Sequence, residues 1–290
     1  MKHYLYFIII LCFSYPMLGQ EKIHQTFKDT RVINSHSVET LRKGFLDFRV
    51  THRFGDIGGG WPSFYGLETA SDILFGFEYG ISDKVMAGLS RTKGSGPLKQ
   101  SINGLVKYRV LTQEIDGRNP FSLTLLGTMS YSTMQKSPIP SDLNYFDKGV
   151  HRLSYHLQFL IASKVTERFS FQFGGGWTYR NIVESQDKND LPSIGLVLKY
   201  QFSKVFGLIV EGTIPFSEYR DNERNFDDSK RFHYPIGIGF EWETGGGHVF
   251  QINLTNATGI VETDYIPYTT SSWTDGGYRL GFTIARQFRI

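Results

Sequence analysis

The residue types able to do chemistry are few in this sequence and widely spaced. Ser154 and His156 lie two apart in RLSYHLQF, on one parity. A histidine that takes a serine's proton is the usual route to a hydroxyl nucleophile. Two places apart along an extended strand, however, their Cβ atoms are about 7 Å apart, and no third orienting group is identifiable. The pair reads more simply as two polar residues on one face, and no catalytic residue is assigned. The acidic run DNERNFDD (221–228) would attract a divalent cation but lacks the spacing of a calcium loop; it reads as a solvated loop. GDIGGGW (55–61) lacks the strand-then-helix context of a dinucleotide fingerprint. No HExxH, P-loop or paired-cysteine motif occurs, so no metal and no cofactor is expected. NLT and NAT (253–258) match glycosylation sequons, a match read as accidental.

The strongest chemical signal is a set of charges of both signs at alternate positions of neighbouring extended segments. Asp47, Arg49 and Arg53 precede Asp72 and Glu78; Arg109, Arg152 and His156 follow; then come Lys199, Glu211, Glu241 and Glu243. Two readings stand. Cross-strand ion pairs would satisfy buried polar groups, or the charges would line a channel and tune which small solutes pass. The lumen-lining candidates are Asp47, Arg49, Arg53, Glu78, Arg109, Arg152, His156, Lys199, Glu211 and Glu241.

Something must hold these residues on one side, and the sequence says what. In FSFQFGGGWTYR (169–180), Phe169, Phe171, Phe173, Trp177 and Tyr179 share one parity, and small or polar residues hold the other. Side chains of a strand alternate between faces, so one face is aromatic. About twelve such segments lie near 43–54, 71–79, 84–91, 101–111, 121–132, 151–164, 169–180, 191–202, 205–215, 234–244, 248–256 and 276–290. Only HSVETLRK (36–43) hints at a helical period. Long connections alternate with short ones such as GISD (80–83), VTER (165–168), SK (203–204) and GGG (245–247). Tight turns at one rim and long loops at the other are the habit of a transmembrane barrel; a Greek-key sandwich has no reason to alternate so regularly.

The polar face is rich in Gly, as in Gly195, Gly237 and Gly239. Gly weakens a solvent-facing strand but suits a crowded, bending lumen. The fold expected is all-β: a transmembrane, antiparallel, up-and-down barrel of about 12 strands with its greasy side outward. The alternative is a soluble sandwich or lipocalin-like barrel with the aromatic face inward. Tyr79, Tyr108, Tyr131, Tyr179, Tyr200, Trp242 and Tyr278 fall near strand ends, where interfacial rings belong.

Composition agrees. In 290 residues, 31 Lys and Arg against 28 Asp and Glu leave a net charge of +3, giving no basic surplus for nucleic acid. The start, MKHYLYFIIILCFSYPMLGQ, has a charged n-region and an apolar run of leader length. The chain divides into a signal peptide (1–19), a periplasmic or lumen segment (20–42) and the barrel (43–290). Cys12, the one cysteine, lies in the leader after Leu11, so neither a lipid anchor nor a disulfide framework is expected. Segment 20–42 is far too small for the plug domain of an energised transporter.

TRVIN and SVE (30–34 and 37–39), the strand end HRFG (52–55), the loop residues GLE and the strand and turn GFEYGISD (76–83) together resemble a Bacteroidota family of outer-membrane β-barrel proteins of unknown function. The resemblance covers most of the chain after the leader and is sharpest in its first third. It implies fold and location and brings no activity. The function expected is a narrow channel or small-ligand binder for passive solute passage, acting as a monomer in outer-membrane lipid with no nucleic acid and no known partner protein. A membrane-embedded enzyme acting on lipid or lipopolysaccharide, and a scaffold docking a periplasmic partner, are the alternatives.

Overall fold

The structure is a computed structural model that describes residues 25–94, 98 and 100–290; the expected leader lies outside them. Twelve strands follow one another: β1 (Phe45–Asp56), β2 (Ala70–Gly80), β3 (Val85–Lys93), β4 (Gln100–Leu111), β5 (Ser122–Ser132), β6 (Leu153–Lys164), β7 (Phe169–Arg180), β8 (Asp190–Gln201), β9 (Phe206–Pro215), β10 (Ile236–Thr244), β11 (His248–Thr255) and β12 (Arg279–Arg289). Each pairs antiparallel with the next, and β12 returns to β1, so the sheet is closed. Closure leaves no strand edge unpaired, which hydrocarbon demands because it offers no hydrogen bonds. The strands are 8 to 12 residues long, about what a tilted spanning strand needs.

The faces sort by parity. Phe77, Leu89, Leu157 and Phe240 are among the most exposed apolar side chains, and outward rings meet across strands, as Phe48 does Phe77 at 5.1 Å and Phe206 does Trp242 at 6.2 Å. Arg49, Arg53, Lys107 and Glu241, by contrast, are at most 1% exposed. A large charged side chain at that burial, on a barrel clothed in Phe and Leu, faces inward. This excludes the reading with the aromatic face inside.

Four short connections, 81–84, 165–168, 202–205 and 245–247, share one rim with the start of β1 and the end of β12. Connection 112–121 at that rim is longer. The other rim carries the long loops, with the helices α1 (Glu218–Asn222) and α2 (Glu262–Tyr268). The stretch 36–43 forms no helix.

The core of the molecule is the inside of the barrel, and two segments fill it. Residues 26–39 are continuously buried. They form a re-entrant hairpin, closed by the Arg31–His36 bridge and by Ser37 N–H donating to Thr30 O at 2.9 Å. Phe27, Val32, Ile33 and Val38 of the hairpin pack on Ala162, Val197 and Ile209 of the wall. From the opposite rim, the β11–β12 loop turns inward through α2. Its Tyr265 and Ile266 pack on Leu191, and its Ile260 and Val261 on Leu74. Each such apolar side chain gains about 1.5–3 kcal/mol by leaving water.

Both ends of the hairpin lie at the short-turn rim. Lys28 donates there to Lys204 O at 2.9 Å, and further along Gly44 N–H donates to Gly80 O at 2.9 Å. Gly80 makes that passage possible: a Cβ on it would sit 2.0 Å from Arg42 O.

Candidate functional site

The bore is a polar wall built around a peptide. Lys107 on β4 donates from Nζ to three carbonyls of the hairpin, Thr30 at 2.6 Å, Ser37 at 2.9 Å and Glu39 at 3.1 Å. Glu211 on β9 does the converse at the tip, accepting from the N–H groups of Ile33 (3.3 Å), Asn34 (2.7 Å) and Ser35 (3.2 Å). Thr124, Gln172 and Gln251 donate to the carbonyls of Val38 (2.6 Å), His36 (2.8 Å) and Arg31 (3.1 Å). Backbone polar groups taken from water must find partners, and the irregular hairpin finds many of them in wall side chains.

Charge closes the arrangement. Arg49 holds Asp29 through both carboxylate oxygens, 2.7 Å on one side, and also reaches Asp47 at 3.0 Å. Arg109 donates to Glu39 at 2.8 Å. Toward the short-turn rim Lys199 pairs with Glu241 at 2.7 Å and Lys28 with Glu243 at 3.2 Å. The hairpin and the inward loop meet at Glu262, which lies 3.6 Å from His36 and 3.9 Å from Arg31; Arg31 also lies 3.8 Å from Glu78. Breaking one partner of a buried pair of this kind costs about 3–5 kcal/mol.

Of the residues singled out from sequence, Asp47, Arg49, Glu78, Arg109 and Glu211 converge on the hairpin, and Lys199 with Glu241 sits beside its lower part. Arg53 holds the inward loop instead, donating to Gly259 O at 2.5 Å and Ala257 O at 3.3 Å. It belongs to HRFG, whose Gly55 lets the strand end pass Gly66; a Cβ there would lie 3.1 Å from Gly66 O. His52, in the same motif, packs its ring on Phe54 at 4.4 Å and Phe282 at 5.5 Å.

His156 bonds Thr178 on the neighbouring strand at 2.8 Å and does not pair with Ser154. Arg152 is at the long-loop rim, in the turn Gly149–Arg152 that precedes β6, donating to Ser132 O at 3.0 Å and Met134 O at 2.7 Å. Residues that sequence reasoning missed are Asp29, Arg31, His36, Glu39, Lys107 and Glu262. Only Lys107 carried a signal: it shares parity with Asn103, Leu105 and Arg109, all inward-facing.

The outer loops carry a second charged network. Asp187 accepts from Arg180 at 2.8 Å and Arg220 at 2.8 Å, and Glu184 from Arg231 at 2.7 Å and from Tyr219. Burial pushes both carboxyls up. Hydrogen bonds from the guanidiniums outweigh it, so Glu184 and Asp187 lie below their ordinary values. Among the described residues no three His, Cys, Asp or Glu side chains converge as a metal site.

A closed antiparallel barrel, aromatic outside and charged within, filled by two of its own segments, defines a membrane-spanning β barrel. The chain belongs to the family described as "Membrane bound beta barrel domain (DUF5777)", whose model matches residues 27–288. That match takes in nearly all of the hairpin as well as the barrel.

Solved structures similar in fold include the NanC porin, with TM-score 0.49, 10% identity, and 84% of this chain and 100% of that one covered. The KdgM porin matches with TM-score 0.48 and 7% identity, covering 85% of this chain and 99% of that one. An outer membrane channel from Pseudomonas putida F1 matches with TM-score 0.47 and 11% identity, covering 87% and 98%. No curated protein matches the sequence.

Proposed function

We propose that the protein is an outer-membrane channel for small polar solutes whose resting state is closed by residues 25–41. One observation carries this reading: the wall grips the hairpin mainly through side-chain contacts to its backbone, as with Lys107 and Glu211. Water or a polar solute offers the same donors and acceptors. A wall that satisfies a peptide therefore also satisfies a hydrated path once the peptide leaves. The short-turn rim then faces the periplasm and the long loops face outward, after removal of a leader at residues 1–19. The resemblance through HRFG to Bacteroidota barrels supports the same placement. A closed barrel has no strand edge to bury and works as a monomer in lipid. No catalytic role is proposed: His156 is engaged by Thr178.

Planar-bilayer recording of the full chain and of a variant lacking residues 25–41 tests the proposal. The full chain gives rare, small openings and the deleted variant a steady conductance. A deleted variant that keeps the heat-modifiable gel mobility of a folded barrel and yet passes no current overturns it.

A further inference from the structure

The geometry points to a binding site for a small multivalent anion, carrying phosphate or carboxylate groups, in a vestibule at the short-turn rim. A cavity of about 520 Å³ opens there between the hairpin, the β6–β7 and β8–β9 turns and the end of β10. Five cations line it against two carboxylates. They are not equivalent. Lys28 and Lys199 form the floor and are already neutralised, by Glu243 at 3.2 Å and Glu241 at 2.7 Å. Lys164, Arg168 and Lys204 stand on the walls and make no ion pair among the described residues. Glu167, the other carboxylate, makes none either.

Ser170 lines the same cavity at its inner side, where the residue is 3% exposed, and its hydroxyl adds a neutral donor to the lining. A hydroxyl next to three unpaired cations, in a recess walled by protein, presents what an anion needs: charge from several directions and a neutral donor. The recess strengthens the attraction, because low-dielectric walls concentrate the field of like charges, and its volume is in the range that holds small ligands. The site does not depend on the bore opening, since Thr26 and Lys28 of the seated hairpin are part of it.

The same chemistry is available from a dissolved anion and from a phospholipid headgroup, because Phe202 on the vestibule's edge is also on the lipid-facing side. Titration calorimetry of the detergent-solubilised chain with inorganic pyrophosphate reads the first source. Protection of Lys164 from amine acylation, in nanodiscs of phosphatidylcholine with and without phosphatidylglycerol, reads the second. Pyrophosphate binding that falls at least tenfold in Lys164→Gln/Arg168→Gln/Lys204→Gln, and weakens with added salt, supports the site with a soluble ligand. Protection of Lys164 that appears only with phosphatidylglycerol supports it with a lipid ligand. The site is overturned if pyrophosphate gives no binding heat and phosphatidylglycerol does not protect Lys164, or if the triple variant, with folded-barrel gel mobility, binds pyrophosphate as the parent does.

Discussion

At the scale of single residues, Asp29 decides whether the hairpin stays in place. It is fully buried and faces Arg49 with both oxygens. Arg49 keeps Asp47 at 3.0 Å when Asp29 is removed, so the barrel wall tolerates the change. The hairpin loses its most buried charged anchor and keeps that of Glu39 on Arg109. Asp29→Ala is expected to weaken hairpin seating by about 3 kcal/mol, the lower end for a broken buried pair. Limited proteolysis checks it: residues 25–41 become cleavable in a barrel that remains folded. Protection equal to the parent's would mean the apolar contacts of Phe27 and Val38 suffice without the charge.

At the scale of elements, the chain's entry into the barrel depends on one glycine at the end of β2. Gly80→Ala drives a methyl into Arg42 O and Leu41 O, with contacts of 2.0 and 3.0 Å, against backbone that cannot swing aside. Overpacking of this sort costs about 1–3 kcal/mol. The expected result is faster amide exchange over residues 38–44, with β7 and β8 unchanged.

The outer loops respond to acid. Glu184 and Asp187 have values in the folded loops below those of the unfolded chain. The stability they lend is present above the ordinary carboxylate range and is lost as pH falls through the lowered values. The tie between loops 181–189 and 216–235 therefore holds at neutrality and loosens below about pH 4. Amide exchange of residues 181–189 between pH 7 and pH 3, corrected for its intrinsic rate, checks this; a rate that does not change over that span rules it out.

The strands were legible because hydrocarbon permits little else. A lipid-facing position must be apolar, so the period of two runs cleanly through Phe169, Phe171 and Phe173. The charges opposite, Asp47 and Arg49 among them, were legible by the same parity. The hairpin was legible only as a segment placed either in the periplasm or in the lumen. It is irregular and has no period, and the residues that neutralise its Asp29 and Arg31 are contributed by β1, β2 and the β11–β12 loop. Arg152 shares the lumen parity but lies just outside the strand, since β6 begins one residue later, at Leu153; it lines a recess with Ser130, Ser154 and Thr263.

At the scale of the whole molecule, the hairpin goes in and comes out by one mouth. Its tip lies against Glu211, and both of its legs return to the short-turn rim. Among the described residues nothing is threaded, so under the gating proposed above it withdraws without any strand letting go. In that cycle it acts as a tethered ligand for its own receptor. Once withdrawn it stays within a few residues of β1, at the millimolar effective concentration of a short leash, and it competes at that level with whatever enters the bore. Dilution of the protein leaves the balance between open and shut untouched, whereas the concentration of a competing solute shifts it.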